Sequence, residues 1–151
     1  MTNEALKLKI TEHLPTATFD ESGEWLNVFV EAGDFRSFVT ALRSDKDIDA
    51  DYLFCLTCVD WKTNLTVVYH FSSTTYRHCF VVKVKLDRNN PAVETICDIW
   101  RGAELLEREV YEMFGVTFLH HPDLRKLILP DDWKGYPLRK DYEDPINMIK
   151  L

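Results

Sequence analysis

Three strand-like runs follow one another with almost nothing between them: YLFCLTCVDW, LTVVYHFSS and CFVVKVKLD. The connections are short and polar and contain KTN and TTYR. Parallel neighbours need a crossover of roughly a dozen residues or more, so this spacing predicts antiparallel pairing of all three. Everything else in the chain has to be arranged around that meander.

Before it, residues 4–13 put Ala5, Leu6, Ile10 and Leu14 near one helical face, and Pro15 closes the helix. TATFD and WLNVFVEA read as two further strands joined through the turn signal ESG. GDFRSFVTALRSD predicts a second helix, with Asp34 as its cap and Phe35, Phe38, Val39 and Leu42 as its apolar stripe. Pro91 separates the meander from AVETICDIW, and a third helix is expected from about Gly102 to Phe114, stopped by Gly115. Beyond it Pro122, Pro130, Pro137 and Pro145 prevent long elements.

The order helix-strand-strand-helix-strand-strand-strand-helix predicts an α+β fold. It is satisfied by a two-layer sandwich: a mostly antiparallel sheet of about five strands, helices on one face, and an extended C-terminal tail. Residues 1–118 are expected to form the compact domain, and 119–151 an irregular, partner-facing segment of the same domain.

A chain of 151 residues buries enough surface to hold a core without disulfide or metal staples. Its net charge of −7 argues against a nucleic acid or an anionic membrane as the main partner. The N-terminal MTNEALKLKITEHL reads as an amphipathic helix rather than an export signal, and no apolar run reaches membrane-spanning length. Cys55, Cys58, Cys79 and Cys97 are therefore expected to be reduced thiols in a cytosolic setting. Cys55 and Cys58 have redox-pair spacing but lie in a strand, where positions three apart point to opposite faces. The adjacent His120 and His121 are expected to pack or hydrogen-bond at a corner rather than share an ion, and His70 and His78 are single strand residues. Neither a Gly-rich phosphate loop nor a Gly-x-Ser-x-Gly elbow occurs, which points toward binding or scaffolding.

The stretch EREVYEMFG crowds Glu107, Arg108, Glu109 and Glu112 among Tyr111, Met113 and Phe114. Residues two apart on a helix do not face each other, so Glu107 and Glu109 are poorly placed as an acid/base pair. Glu104 and Arg108, and again Arg108 and Glu112, stand four apart. Arg108 is expected to bridge both glutamates and to reach the tail or a partner. A solvated charged face and a face matched to another protein both fit the spacing.

From Glu107 onward, EREVYEMFGVTFLHHPDLRKLILPDDWKGYPLRKDY closely resembles the signature of the C-type subunit of proton-pumping NADH:quinone oxidoreductase, the 30-kDa subunit of respiratory complex I. The resemblance runs through Glu107, Arg108, Glu109, Glu112, Met113 and Phe114, then His121, Arg125, Leu127 and Ile128. It continues through LPDDW, which ends at Trp133, and through Gly135 to PLRKDY, which contains Arg139, Lys140 and Asp141. LTCVDW, LTVVYHF and ICDIWRGAELLEREV resemble the family's middle strands and its approach to the helix, so the likeness covers roughly Asp51 to Tyr142. His120 and Tyr136 depart from the family pattern, which favours Gly and His there.

The resemblance implies a structural subunit with no active site and no iron–sulfur cluster, flavin or quinone of its own. It implies packing against the D-type (49-kDa) quinone-site subunit and the B-type iron–sulfur subunit, on the cytoplasmic side of the inner membrane. The related subunits of ferredoxin-linked NDH complexes and membrane-bound hydrogenases are alternatives, as is a stand-alone binding domain. Within this reading, His121 to Tyr142 is expected to be mostly interface, with Arg125, Trp133, Tyr136 and Arg139 as anchors. Many members carry a longer tail that wraps a neighbouring subunit, whereas this sequence ends soon after Tyr142, and a weaker anchor or another route for it is expected.

Overall fold

The computed structural model describes residues 1–148. The meander is present: β3 (Tyr52–Asp60), β4 (Asn64–Ser72) and β5 (Cys79–Asp87) pair antiparallel, with a register shift between Leu53 and Cys55. Ahead of it come α1 (Asn3–His13), β1 (Thr18–Asp20), β2 (Leu26–Val30) and α2 (Ala32–Ser44). The sheet order is β1-β2-β5-β4-β3, and β2 joins β5 parallel while the other pairings are antiparallel. Two elements are additional to the sequence expectation. β6 (Ala92–Glu94) and β7 (Thr117–Leu119) form a small parallel pair that brackets α3 (Ala103–Phe114). The boundary expected at 118/119 therefore falls inside β7, and residues 149–151 of the expected tail lie outside the described residues.

The helices cover one face of the large sheet, as the two-layer arrangement requires. Alternation along the strands sends Leu26, Val28 and Val30, Leu65, Val67, Tyr69 and Phe71, and Phe80, Val82, Val84 and Leu86 into one core. Leu6 and Ile10 of α1, Phe35, Phe38, Val39 and Leu42 of α2, and Val110 and Phe114 of α3 close over them. Trp100 seals one end, its ring centroid 4.8 Å from that of Phe71 and its Nε1–H donating to the Ala50 carbonyl at 3.0 Å.

Two local readings need correction. Asp34 does not cap α2: the cap position is Glu31, without a side-chain bond, and Asp34 sits in the first turn. An acid there still favours the helix N-terminus through its dipole. Cys55 and Cys58 do separate, Cys58 into the core and Cys55 to a half-buried position. All four cysteines are free, and burial pushes the Cys58 thiol up to about 12, where it is inert at neutral pH.

Candidate interface: α3 and the segment that wraps it

α3 starts after Gly102 and ends where Gly115 turns left-handed at φ 76°. A Cβ at Gly115 would lie 2.6 Å from the Tyr136 ring and 3.0 Å from Arg139, so both the turn and the close approach need glycine here. Of the charges in EREVYEMFG, only Glu109 is exposed; Glu107, Arg108 and Glu112 are buried. Arg108 and Glu112 meet residues 125–129 of the chain's own later segment, and Glu107 meets Thr95 and Ile96.

Each buried charge has a different task. Glu107 accepts from the Thr95 hydroxyl and from the Ile96 N–H at 2.9 Å, tying α3 to the segment after β6. Arg108 donates through Nε to the Arg125 carbonyl at 3.0 Å and through Nη2 to the Lys126 carbonyl at 2.9 Å. Glu112 accepts from three consecutive amides: Leu127 at 3.0 Å, Ile128 at 2.9 Å and Leu129 at 3.0 Å. The expected bridge from Arg108 to Glu104 and Glu112 is not formed. The helix pairs with backbone across a gap instead of with itself along its length, because burial makes unpaired amides and carbonyls more costly than an exposed i,i+4 pair is favourable. The expectation that Arg108 reaches the tail holds.

Further stitches follow. His121 Nδ1 accepts the Asp123 N–H at 3.0 Å, which leaves its proton on Nε2, and Nε2 donates to the Glu104 carbonyl at 3.0 Å. His120 instead turns outward to Glu94 at 2.8 Å. Lys126 Nζ donates to the carbonyls of Asp131 at 2.9 Å and Trp133 at 2.6 Å, closing residues 126–133 into a loop. The Leu138 N–H reaches the Met113 carbonyl at 3.1 Å, and Arg139 Nε reaches the Phe114 carbonyl at 2.6 Å while its guanidinium lies over the Tyr136 ring. At the far end Asp60 accepts the Lys140 N–H at 2.8 Å, the Lys62 N–H at 2.7 Å and Arg88, which also holds Asp141 at 2.8 Å. Burial pushes Asp60 up, but these bonds outweigh it and settle its carboxyl at about 2.

Three of these residues, Cys97, Glu107 and His121, place potential ligand atoms within 4.8 Å of one another. They do not fit a metal. Both His121 nitrogens are engaged, and ligation through Nε2 would move the ring proton to Nδ1, against the Asp123 N–H. Burial also pushes the Cys97 thiol up, away from the thiolate a metal needs.

The predicted residues thus divide. Glu107, Arg108, Glu112, Phe114 and His121 are inner clamps, and the Lys140 amide and the Asp141 carboxylate are outer ones. Leu127 and Ile128 are held by their amides while their side chains stay 40% and 63% exposed. Tyr136 is exposed, Met113 packs against the core, and Arg125 pairs with Asp123 at the surface. Trp133 is half-buried, with its Nε1 unpartnered among the described residues. Asp60, Arg88, Thr95 and Lys126 were not singled out by sequence. Asp60 carried a signal, since an acid on the core-facing register of a strand demands a partner.

The Arg108 clamp gives a direct test. Arg108→Ala leaves two carbonyls without donors and is expected to cost about 2 kcal/mol or more, read as a lower midpoint in thermal or urea unfolding. Arg108→Lys should recover little, because one ammonium cannot span both carbonyls as a guanidinium does.

The sequence pattern of a known family, "Respiratory-chain NADH dehydrogenase, 30 Kd subunit", matches residues 28–146, from within β2 through the whole clamped segment. The chain belongs to this family. A 30-kDa family relative, the C/D-type subunit of NADH-quinone oxidoreductase from Phocaeicola vulgatus, is 46% identical over 73% of this chain and 21% of that protein. The C-type subunit from Chloroherpeton thalassium is 43% identical over 68% of this chain and 43% of that protein. The chain therefore spans less than half the length of these curated relatives. Among solved structures, a chain of the membrane-bound sulfane sulfur reductase, an archaeal respiratory membrane complex, superposes with a TM-score of 0.76 at 27% identity. That likeness covers 93% of this chain and 85% of the other. No helix among the described residues of this 30-kDa family member is long and apolar enough to cross a membrane.

Proposed function

We propose that this chain is a non-catalytic structural subunit in the hydrophilic arm of a complex I-type NADH:quinone oxidoreductase. The complex passes electrons through iron–sulfur clusters to quinone and couples this to proton translocation. Its clusters, flavin and quinone sit in other subunits. This chain packs against the D-type quinone-site subunit and the B-type iron–sulfur subunit on the cytoplasmic side of the membrane.

One observation carries the reading. The charged signature is consumed in holding backbone, with Glu107, Arg108 and Glu112 each bonded to main-chain groups, so these charges are not free to act as a reactive set. What the clamps hold outward is apolar: Leu127, Ile128, Tyr136 and Leu138 are exposed on a segment pinned along its length. A rigid segment that displays apolar anchors suits a protein interface, because little ordering entropy remains to be lost on binding. The C/D name of the Phocaeicola relative supports a D-type neighbour.

The likeness to the archaeal sulfur reductase chain favours one second reading, membership of a related respiratory membrane complex other than an NADH:quinone oxidoreductase. A tagged pull-down from detergent-solubilised membranes of the host separates them. Recovery of D- and B-type subunits with a flavin-bearing NADH module is the expected result. The same subunits without that module would select the second reading. A partner-free chain would overturn both.

A further inference from the structure

The helices occupy one face of the five-stranded sheet, and among the described residues no element packs over the other face. That open face is not an ordinary polar surface. Val68 and Val81 are buried but stand outside the main core. At one end Trp25 folds over Phe54 and His70, with ring centroids 5.7 and 5.8 Å away. Toward the other end the face stays open. Cross-strand pairing sets Phe29, Lys83, Val68 and Thr57 in one row, and Lys85, Thr66 and Val59 in the next. All of these but Thr57, together with Asp20, Asn64 and Trp61, outline a groove of about 490 Å³. Phe29 is 38% exposed and Trp61 60%, so two aromatic rings in one groove stand partly in water.

The charges make the groove selective. Lys83 lies over the Phe29 ring at 5.4 Å, and neither it nor Lys85 has a carboxylate within ion-pair distance among the described residues. The acid at the rim, Asp20, is held below the usual carboxylate range by its bonds from Ser22, whose N–H it accepts at 2.9 Å, and also by the charge of Lys83. It thus offsets part of one lysine without forming an ion pair. Two such ammonium groups beside exposed aromatics, in a chain of net charge −7, mark a local reversal of sign.

We infer that this groove docks an acidic, amphipathic segment of another polypeptide of the same complex, whose carboxylates pair with Lys83 and Lys85 while an apolar side chain fills the space between Phe29, Val68 and Trp61. The two lysines stand two apart on one strand, about 7 Å between Cα atoms. Carboxylates two apart on a strand, or three or four apart on a helix, match that spacing. A two-fold contact of this face with itself in a second copy does not fit, since it would set lysines against lysines. The inference rests on the proposed membership of a complex.

A photo-reactive benzoylphenylalanine at position 61 tests it in the assembled, membrane-extracted complex. The expected product is a cross-link to one other subunit, mapped by mass spectrometry to a peptide bearing carboxylates at that spacing. Lys83→Glu combined with Lys85→Glu should lower recovery of the same subunit about tenfold while the thermal midpoint of the chain stays unchanged. If the double variant unfolds, Lys85→Glu alone, at an exposed position, serves instead. Recovery of the D- and B-type subunits with no cross-link from position 61, or a cross-link to a second copy or to a peptide without carboxylates, overturns the docking face and leaves the proposed function standing. Undiminished recovery by the charge-reversed chain does the same. Loss of every partner from the wild type overturns the proposed function, and the docking face with it.

Discussion

Glu112→Ala frees residues 126–133 from the domain while leaving the sheet intact. The buried carboxylate of Glu112 is the shared acceptor for the amides of Leu127, Ile128 and Leu129, and it is held in place by α3. Hydrogen bonds to a charged group contribute about 1.5–3 kcal/mol each. Their sum is not the expected loss, because the released amides regain water once the loop lifts away. A loss on the order of 3 kcal/mol follows, equivalent to a fall of about 10 °C in thermal midpoint. Hydrogen exchange gives the sharper readout: residues 127–129 should lose protection in the variant while β3, β4 and β5 keep theirs. Unchanged protection at 127–129 would mean that Arg108 and Lys126 hold the loop without Glu112. Glu112→Gln keeps one acceptor oxygen and should fall between the two.

Glu107 is expected to control how stability depends on pH near neutrality. Its carboxyl is buried, and burial raises it from 4.5 to about 7 despite the bonds from Ile96 and Thr95 that favour the charged form. A carboxyl whose folded value lies above its unfolded value binds its proton more tightly in the folded state. Its stabilising contribution is therefore full below about 4.5 and is lost as pH rises through about 7. The span corresponds to a few kcal/mol. Burial depresses His70 and His78, which tilts stability the other way over part of the same range. The quantity to measure is thus the difference between wild type and Glu107→Gln. Glutamine keeps an oxygen for the Ile96 N–H and carries no charge, so its advantage should be small at pH 5 and grow to about 3 kcal/mol by pH 8. A difference that stays flat between those limits would mean that Glu107 is ionised throughout.

Neither residue's task was legible from its surroundings in sequence, and the reason is physical. Spacing along α3 identifies which side chains stand near one another on the helix, and it pointed to an Arg108 ion pair with Glu104 or Glu112. It carries no information about burial by a distant segment, and the partners turned out to be amides and carbonyls, which every residue possesses. Asp60 differs in part: its core-facing register on β3 called for a partner, but nothing local named Arg88 or the Lys140 N–H. Elements with local causes were legible: the meander from its short connections, α3 from its periodicity, and its end from Gly115. The parallel union of β2 with β5 was not, because a strand's alternation records which face is buried and says nothing about which strand lies beside it. The β6–β7 pair is three residues per strand, too short for a period to show.

That parallel union also fixes an order of events as the chain folds. β3, β4 and β5 close through turns and can pair as soon as they exist. β1 and β2 reach the sheet only through β5, across α2 and two whole strands. During synthesis the first third of the chain must wait, its apolar side chains uncommitted, until β5 has left the ribosome. The N-terminal hairpin is thus made first and placed late, and it is the part of the newborn chain most in need of shelter from its neighbours.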